Sequence, residues 1–377
     1  MNSTSYFSKT LQGLEPVLQQ ELTELGATDV QARKRGVAFQ ADDHTLYRIL
    51  MHARTTLRVL KPLASAVVAN EQELYEFVRG IQWHGPLTLK TTFAIDCDTF
   101  HQEMNHNIFL AQKSKDAIVD QFREKYDLRP SVSPKDPDVL INLHVGRDGT
   151  ATVSLDASGK SLNQRGYRVA TGPAPLNEVL AAGLLRMSGW NPETTLIDPM
   201  CGTGTFLIEG ALMAKNKAPG LLHNTFGIMR WPGFRSVLWL QVQKEARDAT
   251  RKDVDWIFGS DLNDRAIDST IKNLKRARLS QNVKVRVGKV DQIYVPHDNK
   301  GMIIMNPPYG ERIGDMSSLR ALYPRIATHL KKYAPGYKVV VFTGDKAFKD
   351  SFGLTPERQV DMINGTIPCD YLEYRIF

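Results

Sequence analysis

Thr195-Leu196-Ile197-Asp198-Pro199-Met200-Cys201-Gly202-Thr203-Gly204-Thr205-Phe206 decides the fold of this chain. A short apolar run ends in an acid, a glycine turn follows, and Leu207, Ile208, Ala211, Leu212 and Ala214 continue as a helix. That is the first strand-to-helix turn of a doubly wound, Rossmann-like α/β sheet. Gly202 and Gly204 let backbone come close to a ligand where a Cβ would clash. No Lys follows them, so the turn is not a phosphate-binding P-loop. The third glycine of the dinucleotide fingerprint is also missing. Asp198, Cys201, Gly202, Thr203, Gly204 and Thr205 are the candidate contacts of a bound cofactor. An acid at the strand end suits a cofactor with a cationic amino-acid end, and S-adenosylmethionine is such a molecule. An ordinary tight turn would read the same if nothing else accompanied it.

More of the same pattern lies downstream. Trp256-Ile257-Phe258-Gly259-Ser260-Asp261 reads as the next strand, with Asp261 at its tip, a position that commonly accepts from ribose hydroxyls. A helix is expected from Asp264 to about Ala277, with Ala266, Ile267, Ile271 and Leu274 on its apolar face. Val283 to Val287 alternates as a strand, and Asp291 beyond it could accept from an adenine amine.

The apolar run Gly301 to Met305 then delivers Asn306-Pro307-Pro308-Tyr309. An exocyclic amine on a nucleobase, or a side-chain amide, is a poor nucleophile because its lone pair is delocalised. Two acceptors aimed at its hydrogens pull the nitrogen toward tetrahedral geometry. The Asn306 side-chain oxygen and the Pro307 carbonyl can be those acceptors. Pro307 and Pro308 fix φ and stiffen the turn, which suits preorganised electrostatics. Tyr309 offers a flat face for a planar group. These four are the candidate catalytic residues.

Together these stretches resemble S-adenosylmethionine-dependent amino-methyltransferases. More closely, the chain is similar to the THUMP-domain family of large-subunit ribosomal RNA guanine-N2 methyltransferases, often labelled as N6-adenine-specific DNA methylases. The resemblance rests on Ser161 to Arg168 (Ser-Leu-Asn-Gln-Arg-Gly-Tyr-Arg), Ala174 to Glu178, Asp198 to Glu209, Gly259 to Asp261 and Asn306 to Arg312. It implies a cofactor-pocket role for Asn163, Arg165 and Asn177, with Asn306 also bordering the cofactor. Where relatives often carry Gly-Ser-Gly, this chain has Gly202-Thr203-Gly204, which keeps both glycines and a hydroxyl. Some family members carry a second methyltransferase domain, which is not expected here because the sequence ends at Phe377.

The N-terminal half reads as two small α+β units. In residues 1–60, strands are expected at Ser5–Ser8, Val37–Gln40 and Leu57–Leu60, and helices through Leu14–Leu25 and Leu46–Leu50, a ferredoxin-like arrangement. In residues 61–157, a helix is expected around Leu74–Val78 and a strand at Thr92–Asp96. A long helix over Gln112–Lys125 follows, then two strands joined by a hairpin at Asp148-Gly149. By resemblance this second unit is an RNA-binding THUMP domain, and residues 158–377 form the methyltransferase domain. Lys113 and Lys115 are expected in the first turn of the long helix, where they would oppose the dipole unless phosphate contact favours them. Arg168 is expected to extend that basic, RNA-facing surface. Trp231, Phe234 and Trp239 could stack a base, but we read them as packing an insertion onto the sheet.

Composition sets outer bounds. The 377 residues suggest two or three domains, and 42% hydrophobic content excludes a disordered chain. Forty-eight basic against 41 acidic residues suit an anionic partner without identifying one. Cys97, Cys201 and Cys369 are too far apart for a metal-spaced pair, and suggest reduced thiols in a cytoplasmic protein. No metal is expected, and His101 and His106 are read as loop residues. The first residues lack the pattern of a secretory signal. The same site could methylate adenine in DNA or a protein glutamine amide, and an RNA-binding assembly factor without catalysis is the remaining alternative.

Overall fold

The computed structural model describes residues 3–172, 175–252, 254–296, 301–309 and 316–377. The expected Gly310, Glu311 and Arg312 of the Asn-Pro-Pro-Tyr stretch, and Ala174, lie outside the described residues.

Residues 4–156 build one eight-stranded sheet from β1 (Thr4–Lys9), β2 (Thr28–Arg33), β3 (Gly36–Ala41), β4 (Arg58–Val67), β5 (Thr92–Thr99), β6 (Ser131–Val132), β7 (Val139–Val145) and β8 (Thr150–Asp156). Its strand order is β2-β3-β1-β4-β8-β7-β5-β6. Four helices join these strands: α1 (Glu15–Glu24), α2 (Asp43–His52), α3 (Glu71–Arg79) and α4 (Asn107–Tyr126). The expected division at residue 60 falls inside β4, whose first residues pair with β1 and whose length pairs with β8. The ferredoxin-like and THUMP parts therefore share a continuous hydrogen-bonded sheet. Strand β2 was not expected, because Thr28-Asp29-Val30-Gln31-Ala32-Arg33 is almost wholly exposed at the sheet edge and carries no apolar alternation.

The second sheet contains β9 (Thr195–Asp198), β10 (Ile257–Asp261), β11 (Val283–Val287), β12 (Gly301–Met305), β13 (Lys338–Thr343), β14 (Arg358–Asn364) and β15 (Ile367–Arg375). The order is β11-β10-β9-β12-β13-β15-β14, parallel up to β13 and antiparallel beyond it. Helices α5 (Glu178–Met187), α6 (Thr205–Ala214) and α8 (Asp264–Ala277) cover one face, α9 (Met316–Tyr333) and α10 (Phe348–Phe352) the other, and α7 (Ser236–Asp248) belongs to an insertion. Strand β12 shows why its sequence reads as an unbroken apolar run. Met302 and Ile304 join one core, and Ile303 and Met305 the other, so none of these four side chains faces water. Each such side chain contributes roughly 1.5–3 kcal/mol by burial. The expected doubly wound class is observed.

Helix α8 departs from expectation on its inward face. Ile271 is exposed, whereas the polar Thr270 and Asn273 are fully buried beside Ile267 and Leu274. The insertion also packs elsewhere than expected. Trp239 meets the Tyr47 ring of α2 edge-on at 5.4 Å, and Phe234 meets it at 5.6 Å. The aromatics join the methyltransferase half to the N-terminal unit instead of lying on the sheet.

Candidate active site

The parallel strands fan outward from β9, with β10 and β11 to one side and β12 and β13 to the other. This reversal opens a crevice beyond the carboxyl ends of β9 and β12, where open α/β sheets take their ligands. A cavity of about 1310 Å³ lies there. Asp198 ends β9, Asp261 ends β10, Asp291 sits in the short helical turn Val290–Gln292 after β11, and Asn306 follows β12. All four line the cavity, as do Cys201, Gly202, Thr203, Thr205, Pro307, Pro308 and Tyr309.

The glycine turn is held by hydrogen bonds to β10 and α8. Gly202 donates its amide to Asp261 at 2.8 Å, and Cys201 donates its amide to the Ser260 carbonyl at 3.0 Å. Thr270 Oγ1 donates to the Gly202 carbonyl (2.8 Å), and Asn273 Nδ2 to the Thr203 carbonyl (3.1 Å). The polar residues of α8 are therefore buried to brace this turn. The two glycines have different jobs. Gly202 has φ +54° and a Cβ there would meet nothing within 4 Å, so it leaves room in the cavity wall. Gly204 has φ +83°, and its Cβ would lie 2.7 Å from Thr270 Cγ2, so this glycine permits α6 to approach α8 and does not line the cavity.

The electrostatics favour a cation. Burial pushes the Asp198 carboxyl well above its ordinary range, and the neighbouring Asp261 pushes it further, against the hydrogen bond from the Met200 amide. Asp261 already accepts from Gly202 and Asn263 amides, yet a carboxylate retains further acceptor capacity. Asp291 is paired with Arg325 of α9 at the cavity wall. Burial also pushes the Cys201 thiol up, so it stays protonated. Asn306 Oδ1 is buried without a hydrogen-bond partner among the described residues, an expensive condition for a polar atom. An arriving donor would relieve it. Open space at Gly202, three carboxylates and this orphaned acceptor fit a cofactor with a cationic end and a substrate that brings N–H groups.

Several expected contacts lie elsewhere. Arg165 is fully buried and paired with Glu209 at 3.2 Å, and it also donates to the Leu162 and Arg54 carbonyls. It anchors α6 and does not line the cavity. Asn163 turns back to accept from Ser161 Oγ at 2.6 Å, away from the cavity. Asn177 caps α5, accepting from the Val179 and Leu180 amides. Arg168, expected on an RNA surface, is turned inward. It donates to Glu178, the Leu176 carbonyl, Thr203 Oγ1 and Thr205 Oγ1, and so ties the glycine turn to α5. Helix α4 begins at Asn107, five residues before the expected start, so Lys113 and Lys115 lie beyond its first turn and the dipole argument for them lapses. Lys113 lies over the Tyr75 ring and Lys115 pairs with Asp116.

Sequence reading missed Thr270, Asn273, Lys289 and Arg325, and also Asn364, which reaches Tyr309. Two polar residues three apart on the otherwise apolar face of α8 were the available signal for the first pair. Lys289, Arg325 and Asn364 left none.

A carboxylate-ringed crevice at the switch point of this sheet, completed by the Asn-Pro-Pro-Tyr turn, defines the class: a Rossmann-like methyltransferase. Comparison with known proteins agrees. Residues 165–373 match the RMKL-like methyltransferase domain, residues 5–60 the RlmL ferredoxin-like domain and residues 68–156 the THUMP domain. A Synechocystis sp. protein provisionally named as an RNA methyltransferase is 38% identical over 376 residues, which cover 99% of this chain and 97% of that protein. The ribosomal RNA large subunit methyltransferase K/L of Syntrophotalea carbinolica is 35% identical over 98% of this chain, which spans 53% of that protein's length. A solved methyltransferase complexed with SAH superposes with a TM-score of 0.91 at 25% identity, over 100% of this chain and 99% of that one. The chain belongs to the RMKL-like methyltransferase family, in the form that carries ferredoxin-like and THUMP domains.

Proposed function

We propose that this protein is an S-adenosylmethionine-dependent RNA methyltransferase acting on the exocyclic N2 amine of a guanine in large-subunit ribosomal RNA. The observation that carries the chemistry is the buried Asn306 Oδ1, without a partner among the described residues, on the same cavity as Asp198, Asp261 and Asp291. The RNA assignment is supported by the THUMP domain and by relatives named for RNA substrates.

When bound, S-adenosylmethionine supplies an electrophilic methyl on a sulfonium. Asp198 would face its cationic amino-acid end, Asp261 its ribose hydroxyls and Asp291 its adenine amine. Asn306 Oδ1 and the Pro307 carbonyl each accept one hydrogen of the substrate amine, which frees the nitrogen lone pair from the ring. Tyr309 receives the base, which must leave its stack for the amine to be reached. The methylated nitrogen is strongly acidic, so its proton passes to solvent without a carboxylate base. Orientation and exclusion of water are the main contributions of these residues.

The test is methyl transfer from labelled S-adenosylmethionine to RNA from cells lacking this gene, to matched DNA and to a protein extract, with nucleoside mass analysis. Label in N2-methylguanosine from large-subunit RNA is the expected result. Label in N6-methyladenine of DNA, or in protein alone, would overturn the substrate.

A further inference from the structure

The Tyr309 hydroxyl has no obvious chemical duty, because a phenylalanine ring would present the same flat face. Its surroundings give it one. Asn364 Nδ2 donates to the Tyr309 phenol at 2.9 Å, and Cys369 Sγ approaches the same oxygen at 3.6 Å. Both residues belong to the β14–β15 hairpin, whose strands pair antiparallel from Arg358↔Glu373 to Asn364↔Ile367. Asn364 is the last paired residue before the two-residue turn. That turn is Gly365-Thr366, with Gly365 at φ +65°, as a tight hairpin connection requires. The hairpin tip is therefore a rigid support, and Asn364, Gly365, Thr366 and Ile367 all line the cavity. The ring is also fixed from the side. A Cβ at Gly344, just past β13, would stand 2.6 Å from Tyr309 Cδ2, so the glycine backbone lies flush against the ring. Burial raises the phenol pKa, so the hydroxyl stays protonated at neutral pH.

We propose that Asn364 is a positioning residue: by holding the phenol of Tyr309 it sets the plane of the ring that receives the acceptor base. This rests on the reading of Tyr309 as the base platform given above. The hydroxyl is then a handle for the hairpin and takes no part in methyl transfer. The hairpin sets the orientation at which the amine meets Asn306 and Pro307, while cofactor binding does not depend on it.

The experiment is a double-mutant cycle with Asn364→Ala, Tyr309→Phe and the pair, read by turnover on RNA, by S-adenosylhomocysteine affinity and by NMR. Losing one hydrogen bond that orients a reacting group should lower kcat by about tenfold. Asn364→Ala and Tyr309→Phe should each show that loss with cofactor affinity unchanged, and the double variant should be no worse than either. Asn364→Asp, whose carboxylate accepts the phenol proton, should recover most of the turnover. The Cζ signal of Tyr309 in 13C-tyrosine-labelled protein, assigned by its disappearance in Tyr309→Phe, should shift in Asn364→Ala and move to a third position in Asn364→Asp, where the phenol donates instead of accepting. Wild-type turnover in Asn364→Ala, losses that multiply in the double variant, or an unmoved Cζ signal would each overturn the proposal. If wild-type protein methylates no RNA, the substrate reading falls, and the Cζ signal alone still decides whether Asn364 holds the ring.

Discussion

Asn306 Oδ1 is buried at the cavity wall with no hydrogen-bond partner among the described residues, an uncommon and costly condition for a polar atom. Replacing Asn306 by Ala removes one of two acceptors that act on the amine as its geometry changes. By analogy with the loss of one oxyanion-hole donor, kcat should fall by about 10²–10³. Cofactor affinity, measured by calorimetry, should stay within about threefold, because a side chain acting on the reacting amine adds little to ground-state binding. Retained turnover would remove the amine-polarising role. Asp198 gives a prediction with a pH sign. Burial raises its pKa in the free protein, and a bound cation would lower it. Binding therefore releases a proton, and affinity should rise with pH by up to about tenfold per unit between the ordinary carboxylate range and the raised value, then level off. Without cofactor, the folded state holds the extra proton in that window, so stability should fall as pH rises through it. Calorimetry of S-adenosylhomocysteine binding in buffers of different ionisation enthalpy checks the released proton. An affinity flat across that window would remove Asp198 from the cationic end.

The glycine turn separates two effects that look alike in sequence. At Gly204 an added Cβ meets Thr270 at 2.7 Å with φ at +83°, so Gly204→Ala should cost about 1–3 kcal/mol by forcing α6 and α8 apart. At Gly202 the φ of +54° adds strain of about 1 kcal/mol, but the added methyl enters open cavity space. Gly202→Ala should therefore lose more cofactor affinity than stability, and Gly204→Ala the reverse. Thermal melts paired with binding isotherms separate the two, and equal behaviour would mean that the turn acts as one unit. Polar groups from α8, β10 and the segment before α5 all converge on this turn, so its shape is set before any ligand arrives.

Across the whole molecule, the halves are joined by buried chemistry as well as by aromatic packing. Arg165 bridges Glu209 of α6 and the Arg54 carbonyl, while Tyr167 donates to Glu209 at 3.0 Å. Glu21 of α1 accepts from the Arg54 and Thr55 amides. Glu209 stands about one turn along α6 from Thr205, and neither it nor Arg165 or Tyr167 lines the cavity. Arg165→Met leaves Glu209 buried without its cation and should cost about 3–5 kcal/mol. Urea denaturation would show that loss, while the folded variant should bind S-adenosylhomocysteine with nearly unchanged affinity. A large loss of binding at full stability would return Arg165 to the cofactor pocket. Trp239 and Phe234 against Tyr47 make the same connection in apolar form.

By itself the sequence determined the sheet that carries the site. The runs Leu196-Ile197 and Met302-Ile303-Ile304-Met305 are apolar throughout because both faces are buried, and each run stops at an acid or amide that cannot continue inward. Those stops are the cavity wall, so local pattern and site coincide. Tertiary structure alone decided which charged residues reach the ligand space. Arg165 and Arg168 sit three apart, the first expected in the cofactor pocket and the second on an RNA-facing surface, yet Arg165 is sealed against Glu209 and Arg168 braces the glycine turn. Their partners lie up to 111 residues away in the chain, and no local periodicity encodes such distances. Asn364 reaches Tyr309 across 55 residues because the hairpin folds back along β13. A side chain's type is written in the sequence, but its partner is set by which strands the backbone hydrogen bonds bring together.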